Sequence, residues 1–305
     1  MKAVINGIFL LVLMGVANAQ DTAVLFNAKQ CMNKRDFQQA ALLLDEYIKN
    51  NQEDTLAQEW GGDAYVGLNL YQLAEQHYSQ AMLYCKNNHQ LIRKRAIVLF
   101  LLHEYRAAIE QWQLVCKNDP DNKQNWYYLG LVYSKTREHK KALQALNKAL
   151  LLDAIYIEAR ILRADINLKE QQYKEALVDV DTALKIVQYT DQLFINRGLA
   201  LLGLKRYQEA SQMFERVIKR NEKNVHAWFG LANVQYSTKL FDEAIVTLSK
   251  AITLSPTFEL AYFKRGMAQL EVMKTEEGCK DLLKAASLGY ADAIYYVQKY
   301  CNGVK

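Results

Sequence analysis

The strongest constraint on this chain is a repeat of 34 residues that runs without insertion from Asp21. The same kinds of residue return at the same places in each repeat. A fixed period of this length is typical of architectures in which each unit buries its apolar face against its neighbours. The period predicts a stack of similar units, here called blocks, which comprise residues 21–54, 55–88, 89–122, 123–156, 157–190, 191–224, 225–258 and 259–292.

Two places in the block accept only small side chains. Around them, apolar residues recur at helical spacing in two runs separated by a short polar break. Each block is therefore expected to form a helical hairpin, with the small residues where its two helices cross, because larger side chains would overpack by about 1–3 kcal/mol. The eighth place holds Ala28, Gly62, Ala96, Gly130, Ala164, Gly198, Ala232 and Gly266, and the twentieth holds Ala40, Ala74, Ala108, Ala142, Ala176, Ala210, Ala244 and Gly278.

A third column is aromatic. It stands three residues before the small twentieth place, and we expect its rings to fill the gap at the turn between the two helices of the hairpin. This explains many of the 19 tyrosines as packing residues. The column contains Phe37, Tyr71, Tyr105, Tyr173, Tyr207 and Phe241.

This pattern resembles the tetratricopeptide repeat (TPR) family, whose consensus is matched in one block by Trp126, Leu129, Gly130, Tyr133, Ala142 and Ala149. The resemblance runs from Asp21 to about Asp292 and is weaker in the first and last blocks, as expected for terminal repeats. It implies an all-α fold, a right-handed superhelical solenoid of eight helical hairpins with a C-terminal capping helix over residues 291–301. Because the chain has only two Pro and 13 Gly, we expect a single solenoid domain over residues 20–305.

The first 19 residues are of another kind. Lys2 precedes an apolar stretch from Ile8 to Val16, and the small-x-small triplet Ala17, Asn18, Ala19 follows. This arrangement predicts a secretory signal peptide, residues 1–19, cleaved after Ala19. A buried amphipathic first helix is the alternative. We expect an exported protein, periplasmic in a Gram-negative bacterium or otherwise secreted, without a membrane span.

Charge and motifs argue against several classes of function. Cleavage would remove Lys2 alone and lower the formal net charge from +5 to +4, and the basic residues are spread over every block. A nucleic-acid-binding protein is expected to cluster its basic charge. The sequence contains no G-x-S-x-G, H-E-x-x-H, paired C-x-x-C or Gly-rich phosphate loop. We therefore predict a non-catalytic protein with no cofactor and no metal.

Arginine occupies the seventh place in several blocks, where the family more often has Leu. In two of them an acid stands at the twenty-third place, which pairs Arg163 with Asp179 and Arg265 with Asp281. These residues would face each other from the two helices of one hairpin. We interpret them as structural, because a partly buried Arg needs a partner.

The end of the chain resembles the ending of many bacterial envelope TPR proteins, from Gly278 and Cys279 through Gly289 to Tyr300 and Cys301. This resemblance implies a disulfide between Cys279 and Cys301 that would pin the C-terminal cap. Two buried free thiols are the alternative. Cys85 and Cys116 lie near the ends of second helices in neighbouring blocks and could also face each other, whereas Cys31 occupies a core place.

The family resemblance places a binding surface on the concave side, at the second, fifth, ninth, twelfth and thirteenth places of the blocks. These places are unusually apolar here, and a contiguous apolar groove usually marks an interaction site. No block combines the Lys at the fifth place and the Asn at the ninth that the family uses to capture a C-terminal carboxylate; Asn233 holds the ninth place of its block, but Phe229 holds the fifth. The candidate partner-binding residues are Phe100, Tyr127, Leu131, Ile161, Ile195, Leu199, Phe229, Asn233, Tyr236, Phe263 and Met267.

These observations favour a protein–protein interaction scaffold of the cell envelope that binds a segment of a partner protein, in assembly or secretion. Two alternatives stay open. The groove could accept the terminal helix of another copy, residues 291–300, or the protein could be an enzyme or glycan binder with a site assembled across blocks.

Overall fold

The structure, a computed structural model, describes residues 21–187 and 189–301 of the 305-residue chain. Within these residues it contains 17 helices and no strand, which confirms the all-α class. The predicted signal peptide lies outside the described residues. The chain divides into two compact units, the first ending at Asp153 and the second beginning at Ala154. The prediction of a single solenoid domain stays a prediction.

The first unit contains eight helices among its described residues. The first of them, α1, is described over residues 21–33. The others are α2 (Phe37–Ile48), α3 (Thr55–Gly67), α4 (Tyr71–Tyr84), α5 (His89–Leu101), α6 (Tyr105–Asn118), α7 (Lys123–Lys135) and α8 (His139–Leu152).

The second unit contains nine helices among its described residues. They are α9 (Ile157–Lys169), α10 (Tyr173–Ile186), α11 (Asp191–Gly203), α12 (Tyr207–Arg220), α13 (Val225–Ser237), α14 (Phe241–Leu254), α15 (Glu259–Glu271), α16 (Thr275–Ser287) and α17 (Ala291–Tyr300).

The helices follow the 34-residue register of the sequence. Each first helix from α3 to α15 begins at the first place of its block, and each second helix from α2 to α16 begins at the seventeenth. Within each unit, a second helix packs against the first helix of its own hairpin and of the next. The predicted hairpins are confirmed.

Side chains at the last place of a block cap the N-termini of many of these first helices. Asp54 accepts hydrogen bonds from the backbone N–H groups of Leu56 and Ala57, and Asn88 caps α5 in the same way. Asn122, Thr190 and Asn224 cap α7, α11 and α13. Such caps satisfy N–H groups that have no partner within the helix.

The turn inside each hairpin contains one left-handed residue at the fifteenth place, with φ between 59° and 63°. None of these residues is glycine, although the left-handed region costs other L-residues about 1 kcal/mol or more. The turn is therefore held by the packing of the two helices that it joins. The residues are Arg35, Asn69, His103, Arg137, Gln171, Lys205, Lys239 and Met273.

The small residues lie where the helices of a hairpin cross, as predicted. A Cβ atom added at Gly130 would stand 2.9 Å from Leu146 and 3.3 Å from the carbonyl oxygen of Ala142 on the facing helix. One added at Gly266 would stand 2.9 Å from the carbonyl oxygen of Gly278. These contacts leave no room for a larger residue.

The aromatic column packs differently from the expectation. A Cβ atom added at Gly67 would stand 2.4 Å from the ring of Phe37, and one added at Gly203 would stand 2.5 Å from the ring of Tyr173. Both glycines belong to the first helix of the following hairpin. These rings therefore join consecutive hairpins, because the second helix of one block packs directly against the first helix of the next.

The terminal helix α17 packs onto its own chain. Ala293 is fully buried, and Tyr296 and Val297 pack against the core formed by Phe263 and Leu282. The opposite side of this helix exposes Ile294 and Tyr295. Among the described residues, no helix has the length and apolar character that crossing a bilayer requires.

Candidate functional site

Most of the predicted binding residues of the second unit lie on its first helices. Within this unit, α9 contacts α11, α11 contacts α13, and α13 contacts α15. Residues at equivalent places on these four helices therefore form a connected surface, which we call the first-helix face. Its half-buried residues are Ile161, Leu199, Phe229, Asn233, Tyr236, Lys264 and Met267.

Aromatic neighbours fix two rings of this face. Phe229 lies 4.9 Å from Phe258, and Tyr236 lies 5.3 Å from Phe241 in an edge-to-face arrangement, both between ring centroids. Burial raises the pKa of the Tyr236 hydroxyl, and nearby Glu271 adds to the effect. Tyr236 thus presents a neutral phenol near physiological pH.

Two residues predicted for the binding groove do not lie on an open surface. Ile195 is 6% exposed and belongs to a core cluster with Phe194 and Phe214. Phe263 is 8% exposed, because its ring packs against Tyr290 and Tyr296 at 4.8 and 5.2 Å between centroids. The prediction of exposure was wrong here: the terminal segment covers Phe263, and neighbouring helices enclose Ile195.

The first unit carries a separate set of predicted residues. Phe100, Tyr127 and Leu131 are half-buried, whereas Ile97 and Leu101 are each 37% exposed. Phe100 lies 5.8 Å from Tyr105 between ring centroids. These residues are accessible in part.

The first-helix face contains a half-buried cation, Lys264, whose setting is understood by comparison with an equivalent lysine in the first unit. Lys94 occupies the sixth place of its block and donates hydrogen bonds to Glu59 at 2.7 Å and Asp63 at 2.6 Å. These acids hold the fifth and ninth places of the preceding block. Burial lowers the pKa of Lys94, but the two carboxylates outweigh burial and raise it.

Lys264 holds the same sixth place in the last block, without those acids. The fifth and ninth places of the preceding block are Phe229 and Asn233. The Lys264 ammonium lies 5.1 Å from the ring centroid of Tyr236 and forms no ion pair among the residues that the structure describes. Burial therefore lowers the pKa of Lys264. The first-helix face therefore contains a lysine without the two acids that accompany the equivalent lysine of the first unit.

Replacing Lys264 with Met should stabilise the protein by about 1 kcal/mol at pH 7, because it removes a half-buried charge that has no ion-pair partner among the described residues. A lysine with a lowered folded-state pKa costs stability while it is protonated; this cost falls as pH rises above the folded-state pKa and is gone above the unfolded-state value near 10.5. Thermal unfolding at pH 7 and above pH 10.5 measures both effects. Exposed Lys250→Met is the matched control, and an equal gain there would contradict the assignment.

The spacing in the sequence predicted only part of the ion-pair cluster in the second unit. Arg163 donates to Asp179 through Nε at 2.7 Å and Nη2 at 2.6 Å, as the spacing suggested. Arg160 also donates to this carboxylate, at 2.9 Å from its Nη1. Asp179 is only 1% exposed. The cluster joins the two helices of one hairpin, α9 and α10, which makes it a structural element.

The other predicted pair has a similar geometry. Arg265 donates to Asp281 through Nε at 2.6 Å and through Nη2 at 2.9 Å. Its Nη1 donates to the hydroxyl of Ser249 at 2.9 Å. These bonds connect α14, α15 and α16, so the pair ties consecutive helices together.

Cys279 and Cys301 form a disulfide in the structure. It connects α16 with the residue that follows α17, across 22 positions of sequence. Cys31, Cys85 and Cys116 are free thiols. Burial raises the pKa of Cys116 to about 12, so this thiol stays protonated and unreactive.

Loss of the disulfide in Cys301→Ala should lower the free energy of unfolding by about 2–3 kcal/mol, because a loop of this length loses its constraint in the unfolded chain. Urea denaturation checks the value. Dithiothreitol should lower the stability of the wild type to that of the variant and leave the variant unchanged. A wild type insensitive to the reductant under unfolding conditions would contradict the bridge.

No group of three or more His, Cys, Asp or Glu side chains is placed to hold a metal within residues 21–187 and 189–301. Comparison with known proteins decides the family. The model of the tetratricopeptide repeat matches residues 32–82, 93–157 and 195–257, more than half of the chain.

The chain belongs to the tetratricopeptide repeat family. Proteins of this fold are generally non-catalytic scaffolds that mediate protein interactions. A similar solved structure is that of a tetratricopeptide repeat protein from Parabacteroides merdae, with a TM-score of 0.69 and 19% identity over 81% of this chain and 98% of that one.

The curated relatives are larger. DnaJ homolog subfamily C member 7 of Mus musculus is 22% identical over 78% of this chain and 50% of its own length. The BBSome complex member BBS4 of Bos taurus is 19% identical over 74% of this chain and 43% of its own. The chain thus spans half or less of these two relatives.

Proposed function

We propose that this TPR protein is a non-catalytic scaffold that holds a segment of a partner protein on the first-helix face of its second unit. The segment presents apolar side chains to Leu199, Phe229 and Met267 and an acidic group to Lys264. The proposal rests on the charge of Lys264. Its equivalent Lys94 is satisfied inside the protein by two carboxylates, whereas Lys264 is left for a carboxylate supplied from outside.

Physical reasons favour a protein segment as the ligand. Half-buried apolar and aromatic side chains on consecutive helices offer an area that a peptide can cover along its length. Helix packing holds these side chains in place before binding, so little conformational entropy is lost when the partner docks. A partly desolvated ammonium strengthens a hydrogen bond to a carboxylate.

A pull-down from an envelope extract tests the proposal. Phe229→Glu places a negative charge on the first-helix face, and the variant is first shown to be folded by circular dichroism. Val246→Glu on α14 is the matched control, since Val246 is 64% exposed on a second helix. We expect a partner that is retained by the wild type and by Val246→Glu and lost by Phe229→Glu. Retention by all three proteins would contradict the proposal.

The role of Lys264 is tested by Asn233→Asp, which restores the acid found opposite Lys94. The new carboxylate should neutralise Lys264 within the protein and weaken binding of the captured partner by about tenfold. Thermal stability should be equal to or above that of the wild type. Unchanged affinity in a folded Asn233→Asp variant would remove the acidic group from the proposal.

We also propose that the scaffold works in the cell envelope, in assembly or secretion, in the periplasm of a Gram-negative bacterium. The signal-like sequence of residues 1–19 supports this location. Cell fractionation and the mass of the purified protein test it together. We expect a periplasmic protein that begins at Gln20, and a cytoplasmic protein that retains Lys2 would contradict the location.

A further inference from the structure

The first unit has an open groove of about 860 Å³ that is lined by α6, α7 and α8. Its floor consists of side chains that are buried or nearly so, namely Cys116, Leu129, Tyr133 and Ala145. The half-buried ring of Trp126 forms part of the wall. We call this surface the outer groove. None of its residues belongs to the first-helix face of the second unit.

One face of α8 forms a rim of the outer groove. Lys141, Gln144, Lys148 and Leu151 follow each other at intervals of three and four residues, which places them in one stripe along the helix. Leu151 is 79% exposed at the edge of this apolar floor. The stripe combines two cations with an exposed apolar group.

The helices that line the outer groove carry few acids. The helices α7 and α8 contain no Asp or Glu, and α6 contains only Glu110. Lys117 and Lys148 are exposed and form no ion pair among the described residues. Lys141, the third lysine of the lining, donates to Glu138 at 2.6 Å.

We propose that the outer groove binds an acidic amphipathic helix of a partner protein. Apolar side chains of that helix cover Leu129, Ala145 and Leu151, and its carboxylates face the lysines of the rim. Lys141 and Lys148 are separated by two helical turns, about 10.5 Å along α8, so acids two turns apart on the partner match them. A concave apolar floor suits side chains that project into it better than it suits a flat lipid surface.

Fluorescence anisotropy with a labelled helical peptide tests this site on the full chain. The probe carries two Glu residues seven positions apart with Leu and Phe on the same face between them. A second peptide has Lys in place of both Glu, and an oligoglutamate has the same negative charge without apolar residues. Anionic phosphatidylglycerol vesicles provide the membrane comparison.

The variants separate the groove from general charge. The double variant Lys117→Glu, Lys148→Glu should lower the affinity for the acidic peptide by about tenfold or more, and Leu151→Ser should lower it by about fivefold. Lys140→Glu is the matched control, because Lys140 is exposed on the same helix outside the groove lining, and it should change affinity less than about twofold.

Each outcome decides the proposal. Binding of the acidic amphipathic peptide alone, with losses confined to the groove variants, supports it. Equal binding of oligoglutamate, equal losses in Lys140→Glu, absence of peptide binding, or groove-dependent binding of the vesicles without the peptide would overturn it. Since Phe229→Glu lies in the other unit and should leave peptide affinity unchanged, failure here is distinguishable from failure of the proposed function.

Discussion

Asp179→Ala should lower the free energy of unfolding by about 3–5 kcal/mol, because it leaves charged groups of a buried cluster without their partner. The carboxylate is 1% exposed and accepts hydrogen bonds from Arg160 and from both Nε and Nη2 of Arg163. Arg163 also lies near the surface of the hairpin, so part of its charge can regain water, which favours the lower end of this range. Chemical denaturation of the purified variant measures the loss.

Asp181→Ala is the matched control on the same helix. Asp181 accepts a hydrogen bond from Arg197 at 2.7 Å, but its side chain is 40% exposed. Water screens this pair, so its removal should cost less than about 1 kcal/mol. A cost for Asp179→Ala no larger than that for Asp181→Ala would show that the buried cluster does not hold α9 to α10.

Trp112→Ala should destabilise the first unit by about 3–5 kcal/mol, the usual cost of emptying a large aromatic site in a core. Trp112 is 1% exposed and stacks on Tyr128 with 5.0 Å between ring centroids. The pair connects α6 with α7, two helices of consecutive hairpins. Loss of the indole leaves a cavity between them that small backbone shifts cannot close.

Leu114→Ala provides the comparison for Trp112, since Leu114 lies on the same helix and is 39% exposed. Its truncation should cost less than about 1 kcal/mol. Thermal unfolding of both variants, followed by circular dichroism, separates a packing effect from a general loss of helix stability. Similar losses in the two variants would argue against a central packing role for Trp112.

The hairpin register could be predicted from the sequence because the same physical requirement is repeated eight times. Small residues at the eighth place mark helix crossings, and the crossings at Gly130 and Gly266 are as close as that pattern requires. The capping residues Asp54, Asn88 and Asn122 also recur at one place. A residue type that recurs at one place in the blocks can be distinguished from surface residues that vary between blocks.

Features that break the repeat were harder to predict. Arg160 donates a hydrogen bond to Asp179. No other block has an arginine at the equivalent place. The burial of Phe263 depends on Tyr290 and Tyr296, which follow the last regular hairpin. Helical periodicity assigns a face to a residue, but exposure also depends on what covers that face.

Lys264 could have been recognised from the sequence by comparing blocks rather than searching for a family motif. The sixth-place Lys94 follows acids at the fifth and ninth places of the preceding block, whereas Lys264 follows Phe229 and Asn233. Its significance becomes clear only when the structure shows that Lys94 contacts both acids. The sequence shows that the two lysines follow different residues, and the distances in the structure show that this difference changes their partners.

Site-specific photo-crosslinking in cells tests the central claim most directly. A photoreactive phenylalanine analogue replaces Tyr236 on the first-helix face or, as the control, Val246 on α14. We predict that position 236 crosslinks a distinct partner protein and that this product is absent at position 246 and reduced by Asn233→Asp. Equal products at both positions, or a product at position 246 alone, would contradict a binding surface on the first-helix face.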